Sequence, residues 1–154
     1  MKKKVNISFI EKYDHTVDWY YEGNISKAIV TYLKSSGYEI RKDNSDKIRA
    51  RGEDIIAISG DGIKEIIEVK SYPTEYHTKG NKIGHLKSTP PRLQAEHWFS
   101  DVILSSINNY LKHKRQKGKF RLALGFPNMD RYKELKLKVE AFLLITTLTS
   151  KYIL

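Results

Sequence analysis

The sequence has no cysteine and no long run of hydrophobic residues. The lack of cysteine excludes disulfides and thiolate zinc sites and agrees with a reducing compartment, so we expect a cytoplasmic protein. A helix that spans a bilayer needs roughly 18 apolar residues, and no stretch approaches that length. The basic residues after Met1 lead into no apolar segment typical of a signal peptide. We therefore expect no disulfide framework and no membrane partner.

Acidic residues are the second shortage. The chain carries 28 lysines and arginines against 18 aspartates and glutamates, which gives a net charge of +10. No acidic residue lies between Asp101 and Asp130, whereas six basic residues do: Lys112, Lys114, Arg115, Lys117, Lys119 and Arg121. Such a surplus attracts polyanions, of which nucleic acid is the most common in a cell. The alternative is a lysine-rich surface that only keeps the protein in solution.

The length of 154 residues suits one compact domain, residues 1–154. Apolar residues at helical spacing predict three helices, over 18–36, over 91–112 and from Asp130 onward. β-Branched residues predict four strands, over 38–41, 54–59, 63–70 and 120–126. Residues 145–149 suit either the end of the last helix or a further strand. The order α-β-β-β-α-β-α predicts an α/β fold in which helices flank a mixed β-sheet.

The boundaries and buried faces of the first two helices can be predicted. The first apolar stripe consists of Ile25, Ala28, Ile29, Tyr32 and Leu33. Gly37 is expected to end that helix, and Thr89 is expected to cap the second, with Pro90 at its first position. The second stripe consists of Trp98, Val102, Ile103, Ile107 and Leu111, with Trp98 assigned to the core rather than to base stacking. The stretch 71–91 has no periodicity, and loops of this length are often functional.

The most informative pattern is Asp54 followed by Glu68-Val69-Lys70. Side chains two apart on a strand share a face, so Glu68 and Lys70 emerge together. A two-residue turn at 61–62 would place Asp54 opposite Val69, on the wrong face. A three-residue turn at 60–62 places Asp54 directly opposite Glu68, and Gly62 suits the left-handed position that this turn requires. We therefore predict the second register.

Two carboxylates at cross-strand distance repel each other unless a positive charge lies between them. Lys70 contributes one charge, and a divalent cation is the better solution because hard oxygen ligands suit Mg²⁺ or Mn²⁺. The alternative is an exposed pair of opposite charges on a sheet surface. Glu-x-Lys is a common sequence, and its second copy, which begins at Glu134, is interpreted as a solvated helix face.

Glu22 and Gln94 extend the candidate site. Glu22 lies three residues before Ile25 and seven before Ile29, on the apolar stripe, where a carboxylate is costly unless it is paired or bound to a metal. The alternative is that Glu22 sits in the first helical turn, where the helix dipole favours negative charge. Gln94 lies in the first turn of the second helix, from which it would contact a phosphate or orient Lys70; otherwise it is an ordinary exposed polar residue.

Together, Glu22, Asp54, Glu68-Val69-Lys70 and Gln94 resemble the motifs of the restriction-endonuclease-like PD-(D/E)XK superfamily. Gln94 to Trp98 looks like the Gln-x-x-x-Tyr element of its RecB-type and lambda-exonuclease-like members, with tryptophan in place of tyrosine. The order of elements matches over about 18–126. Two features depart from the pattern: Glu53 stands where the superfamily name has proline, and 71–91 is an insertion of no generic type.

The resemblance implies a metal-dependent nuclease that hydrolyses phosphodiester bonds, with DNA as the expected partner. It implies that Asp54, Glu68 and the Val69 carbonyl bind Mg²⁺ or Mn²⁺ and that Lys70 positions the attacking water. Glu22 would bind a water or a second metal, and Gln94 would hold Lys70 or a phosphate. Phosphate contacts would come from Lys79, Lys82, Lys87, Arg92 and the cluster from Lys112 to Arg121, which includes Lys114 and Arg115. The small surface leaves a homodimer or a larger assembly open.

Three other classes of function compete with this interpretation. The first is a non-catalytic nucleic-acid-binding module on the same fold. The second is a metal enzyme based on His77, His85 and His97, although these residues lack His-x-x-x-His or Glu-x-x-His spacing. The third is a protein-interaction domain whose basic surface meets an acidic partner.

Overall fold

A computed structural model of the protein describes residues 14–46, 52–115, 119–143 and 151–153. These residues form a mixed α/β fold in which three helices flank a β-sheet, as predicted. The helices are α1 (Glu22–Ser35), α2 (Pro91–Lys114) and α3 (Asp130–Leu143), with 3-10 turns at His15–Val17 and Gly80–Lys82. The strands are β1 (Glu39–Asp43), β2 (Ile55–Ile58), β3 (Lys64–Val69), β4 (Phe120–Gly125) and β5 (Lys151–Ile153).

The strands lie across the sheet in sequence order, from β1 to β5. β1, β2 and β3 pair antiparallel through short connections, whereas β4 runs parallel to β3. A parallel pair needs a long crossover, and α2 provides it. The predicted order lacked β5, which pairs with β4 between Ala123↔Lys151 and Gly125↔Ile153. Residues 145–149, for which helix and strand were both considered, lie outside the described residues.

α1 covers one face of the sheet and begins at Glu22, later than predicted, because a 3-10 turn precedes it. Its buried residues are Gly23, Ile25, Ser26, Ile29, Val30 and Leu33. The assignment of Ala28 and Tyr32 to this face is wrong, since Ala28 is exposed and Tyr32 is 59% exposed. The helical spacing of apolar residues fits more than one buried face, each rotated by one residue about the helix axis. Contact with the sheet determines which of these faces is buried. Gly37, with φ of 80°, follows the helix end as predicted.

α2 and α3 cover the opposite face of the sheet. The core beneath them consists of Ala95, Phe99, Val102, Leu124, Phe126 and Tyr132. Ile107 and Leu111 were predicted to be buried but are 46% and 54% exposed. Pro90 rather than Thr89 occupies the cap position, and Pro91 is the first helical residue. The helix therefore begins one residue later than the cap prediction placed it, with proline at N1, where no backbone donor is lost.

Within 14–46, 52–115, 119–143 and 151–153, no helix is both long enough and apolar enough to cross a membrane.

Candidate active site

The hairpin of β2 and β3 has the register that was predicted from its turn. Ile55 pairs with Ile67 and Ile58 with Lys64, a register that continues to Asp54 opposite Glu68. In the turn, the Ser59 N–H donates to the Ile63 carbonyl at 3.0 Å. Gly62 has φ of 77°, a conformation that side chains with a Cβ rarely adopt. A local requirement for glycine thus determines which strand residues face each other.

Asp54 is held against the end of β3. Its Oδ2 accepts a hydrogen bond of 2.7 Å from the Val69 N–H, just beyond the last residue pair of the hairpin. Its carboxyl group also lies within hydrogen-bond reach of the Glu68 carboxyl group. Ile67 and Val69 belong to the core beneath α1, so Glu68 and Lys70 emerge on the other side of β3. Asp54, Glu68 and Lys70 therefore meet at one end of the hairpin.

The charge of Asp54 destabilises the ionised form of Glu68, whereas a hydrogen bond with Glu68 lowers the pKa of Asp54. Burial raises the pKa of Glu68 from its ordinary value of 4.5 to about 7, and the neighbouring charge of Asp54 adds to this rise. Burial also raises the pKa of Asp54, against the lowering effect of the Val69 N–H and the Lys70 ammonium. On α2, the Asn109 amide donates a hydrogen bond to Glu68 Oε1. The site therefore holds more negative charge than its protein neighbours balance.

Glu22 joins this group from the start of α1. Its Oε2 lies 3.9 Å from Lys70 Nζ. Burial raises the pKa of Glu22, although Lys70 and a hydrogen bond from the Ser71 N–H oppose the rise. The two interpretations of Glu22 are therefore compatible, because the residue lies in the first helical turn and its side chain reaches the site. Three carboxylates and one ammonium group converge here.

The donor set determines which metal ion would fit. Among the described residues, no group of three or more His, Cys, Asp or Glu side chains is arranged to hold a metal ion. Asp54, Glu68 and the Val69 carbonyl are hard oxygen donors, and Mg²⁺ typically takes one or two carboxylates and completes its coordination with water and substrate phosphate. The residues present fit Mg²⁺ or Mn²⁺ held in that manner, and they do not fit an all-protein cage.

Gln94 lies in the first turn of α2, as predicted, but its side chain does not make the predicted contact with Lys70. Its Oε1 accepts from Lys87 Nζ at 3.3 Å, and its Nε2 donates to the Thr89 carbonyl at 2.6 Å. Within the described part of the chain, it makes no hydrogen bond to Lys70. The prediction that Gln94 orients Lys70 is therefore wrong. The helix position was correctly identified, but the loop before α2 brings a different lysine to it.

The predicted phosphate-binding residues fall into two groups. Lys79 and Lys87 line a cleft beside the site, and Lys82 lies nearby in sequence, exposed in the second 3-10 turn. Arg92, in contrast, pairs with Glu134 at 2.6 Å. The cations of the first group come from the 71–91 loop and approach the site.

The basic cluster at the end of α2 is partly used within the fold. Lys112 Nζ lies 2.6 Å from Glu53 Oε1, and Lys114 Nζ lies 5.8 Å from the centre of the Tyr110 ring. Arg115 is the exposed C-cap of α2, and Arg121 pairs with Glu65 at 3.1 Å. Lys117 lies outside the described residues. The absence of acidic residues in this segment therefore does not mean that its cations are unpaired, because partners come from other strands.

A cleft of about 600 Å³ opens beside the carboxylates. Asp54, Glu22 and Lys70 line it together with aromatic side chains from three parts of the chain: Tyr20, Tyr21, Tyr72 and Trp98. Trp98 was assigned to the core, but it is only half-buried, and its neighbour Phe99 takes the core position at 3% exposure. Because the two aromatic residues are adjacent on α2, only tertiary contacts determine which of them enters the core.

Glu53, the residue in place of the superfamily's proline, has a structural role that the sequence did not reveal. Its buried carboxylate contacts Lys42 at 3.3 Å, Lys112 at 2.6 Å and His113 at 3.0 Å. Burial alone would raise the pKa of Glu53, but the hydrogen bonds from Lys112, His113 and Lys42 hold it well below its usual range. These contacts tie β1 and α2 to the residue next to Asp54.

Neither a family model nor a curated protein nor a solved structure matches this chain in the comparisons with known proteins. The geometry of the site is therefore the basis on which a function can be proposed.

Proposed function

We propose that the protein is a metal-dependent nuclease with a restriction-endonuclease-like core, which hydrolyses phosphodiester bonds in DNA. The observation that carries this proposal is the hairpin register, which sets Asp54 opposite Glu68 with Lys70 two residues further along the same strand face. Glu22 at the start of α1 completes the acidic set. The mixed sheet, with its antiparallel hairpin followed by a helical crossover to β4, agrees with the order of elements in that superfamily.

The chemistry is divided among a few side chains. Asp54, Glu68 and the Val69 carbonyl would hold Mg²⁺ or Mn²⁺, which, when bound, activates water and neutralises charge on the scissile phosphate. Lys70 orients the attacking water and stabilises the developing charge on the phosphate oxygens. Glu22, whose Oε2 lies 3.9 Å from Lys70 Nζ, holds the ammonium group towards the carboxylates.

The test is a titration with Mg²⁺ and Mn²⁺ of nuclease activity on linear, circular and branched DNA. Wild type is compared with Asp54→Ala and Lys70→Ala, which should lose cleavage while DNA binding remains. The matched control is Lys136→Ala, because Lys136 belongs to the second Glu-x-Lys sequence, on α3. Cleavage that survives Lys70→Ala would refute the catalytic assignment.

Two results would favour the competing functions. Salt-dependent DNA binding without metal-dependent cleavage in any substrate form identifies the non-catalytic module. Stoichiometric zinc in the purified protein identifies the histidine-based enzyme. In the structure the main chains of His77 and His85 are joined, with the His77 N–H donating to the His85 carbonyl at 2.9 Å, and no metal-binding group of the described residues includes them.

A further inference from the structure

We propose that the cleft binds an unpaired segment of a nucleic acid strand, whose bases stack against Trp98 and the cleft tyrosines while its backbone passes the carboxylates. The cleavage of that strand rests on the proposed nuclease function, but its binding is a separate property and is measured separately. The substrate class is therefore an exposed single strand, as in a tail, a flap or a gap, rather than an intact duplex.

The size and position of the cleft limit what can enter it. Its volume of about 600 Å³ is within the range of pockets for small ligands, so it accommodates a short piece of extended strand. Asp54, Glu22 and Lys70 line the same cleft as Trp98 and Tyr72. A strand whose bases contact the aromatic residues consequently has its phosphates beside the catalytic group.

The aromatic wall is fixed to the hydrophobic core. The Tyr20 and Tyr72 rings are 6.5 Å apart and nearly perpendicular, and Tyr72 makes a similar contact with Tyr132 at 5.5 Å. Tyr132 is buried, packs 4.5 Å from Phe126 and donates a hydrogen bond of 2.8 Å to the Ser71 carbonyl. Rings held in this way present a surface that is ordered before a ligand arrives, which lowers the entropic cost of stacking.

The lysines at the cleft are positioned to contact the phosphate backbone of a nucleic acid strand rather than its bases. Lys87 Nζ donates to Thr74 Oγ1 at 3.2 Å and to Gln94 Oε1 at 3.3 Å, two neutral oxygens that carry no counter-charge. Lys79 also lines the cleft, close enough to influence Glu22 electrostatically. Neutral partners position an ammonium group without cancelling its attraction for phosphate. This arrangement assigns to Gln94 the positioning of Lys87.

The combination of rings and cations points to unpaired strands. In a duplex, each base face is covered by its neighbours, so protein aromatic rings have no surface to stack on, and cations alone would serve the phosphates. Single-strand binding sites combine a positively charged groove with aromatic platforms, because every base offers a π-face once it is unstacked. The cleft has the aromatic rings and three lysines, Lys70, Lys79 and Lys87, and these lysines face the carboxylates of Glu22, Asp54 and Asp101 in the same lining.

The closing experiment uses Trp98 as its own reporter. The chain has two tryptophans, and Trp19, 59% exposed and outside the cleft lining, is replaced in a Trp19→Phe background. Oligo-dU and oligo-rU, which differ only in the sugar, are titrated in EDTA and again in Ca²⁺, alongside a blunt hairpin duplex. Single strands should quench Trp98 fluorescence at concentrations at which the duplex does not. The stronger of the two oligomers identifies the preferred sugar.

Variants of Trp98 then test whether the residue that is quenched also contributes to the affinity for the strand. Trp98→Leu should weaken the binding of a labelled oligomer, measured by anisotropy, by about tenfold, whereas Trp98→Phe, which keeps a ring, should retain most of the affinity. The matched control is Tyr32→Leu, which removes an exposed ring on α1 outside the cleft. If Trp98→Leu does not fold, the quenching of intact Trp98 still decides the question.

The outcomes separate this inference from the proposed function. Quenching by single strands without cleavage in Mg²⁺ or Mn²⁺ supports strand binding and overturns the nuclease. Cleavage of duplex DNA without quenching by either oligomer, or with affinity unchanged in Trp98→Leu, overturns the unpaired-strand inference and leaves the nuclease standing. Equal quenching by duplex and single strand also overturns the inference.

Discussion

Glu53 and Glu68 lie near each other at one end of the β2–β3 hairpin, yet their surroundings are opposite. Glu53 is buried among three positively chargeable side chains, from Lys42, Lys112 and His113, which hold its pKa well below the usual range. Glu68 faces another carboxylate, and burial together with that charge raises its pKa to about 7. Perturbed carboxylates without protein counter-charges are typical of functional sites, whereas balanced ones are typical of structural contacts.

This contrast shows how the fold can support an unfavourable site. We call Glu53 with Lys42, Lys112 and His113 the balanced cluster, and Asp54 with Glu68 the unbalanced cluster. The balanced cluster joins β1 and α2 to the residue immediately before Asp54. It therefore holds in place the strand end from which the unbalanced cluster projects. A set of like charges persists only when the surrounding structure over-determines its position. We therefore expect the two clusters to respond in opposite directions when their charges are removed.

The largest expected effect is on catalysis by the unbalanced cluster. Asp54→Asn should reduce the rate of the proposed metal-dependent DNA cleavage by at least about a thousandfold, because it removes a proposed metal ligand. Glu53→Gln should reduce the rate far less, since Glu53 acts through structure. Both rates are measured at saturating Mg²⁺ and at a temperature where both variants are folded. An equal loss in the two variants would remove the functional distinction between the clusters.

The next effect is on the stability that the balanced cluster provides. Glu53→Gln should lower the free energy of unfolding by about 1–2 kcal/mol at pH 7, because it removes a buried carboxylate that Lys42, Lys112 and His113 contact, and the partial exposure of the two lysines limits the loss. The folded-state pKa of Glu53 is depressed, so its contribution is present above the ordinary value of 4.5 and is lost as the pH falls below it. Urea unfolding at pH 7 and pH 3 measures this, and the difference between wild type and variant should shrink at pH 3.

Glu68→Gln should raise the free energy of unfolding, whereas Glu53→Gln should lower it. Because the folded-state pKa of Glu68 is raised, its ionisation opposes folding as the pH rises from 4.5 through about 7. The variant should therefore be more stable than wild type by about 1 kcal/mol at pH 8, after allowance for solvent screening, and equal to it at pH 4. Thermal unfolding at the two pH values checks this, and a variant that is less stable at pH 8 would contradict the description of Glu68.

A further effect of similar size tests the metal assignment. Mg²⁺ at tenfold above its dissociation constant should raise the free energy of unfolding of wild type by about 1.4 kcal/mol. The Glu68→Gln variant should gain much less, because it has lost both the repulsion and one ligand. The comparison is made by thermal unfolding at pH 8, with equal ionic strength set by NaCl. Equal gains in wild type and variant would place the ion elsewhere.

Much of the fold could be predicted, because its determinants are local. The four strands and three helices follow from spacing and propensity over short windows, and the ends of α1 and the hairpin depend on Gly37 and Gly62. The three-residue turn even sets the pairing of Asp54 with Glu68. Which residues of the helices are buried could not be predicted in full. Ala28 and Val30 are equally compatible with a helical period, and only contact with the sheet determines which of the two is buried.

The rest of the site depends on contacts distant in sequence. Asn109 reaches Glu68 from α2, Lys112 reaches Glu53, and Gln94 meets Lys87 rather than Lys70. No periodic pattern encodes such pairs, because they result from how α2 packs across the sheet. The sequence by itself determined the hairpin and its three chemical residues, since a turn and strand alternation act over a few positions. Only the tertiary structure decided which side chains surround them, because burial and charge balance are properties of the assembled layers.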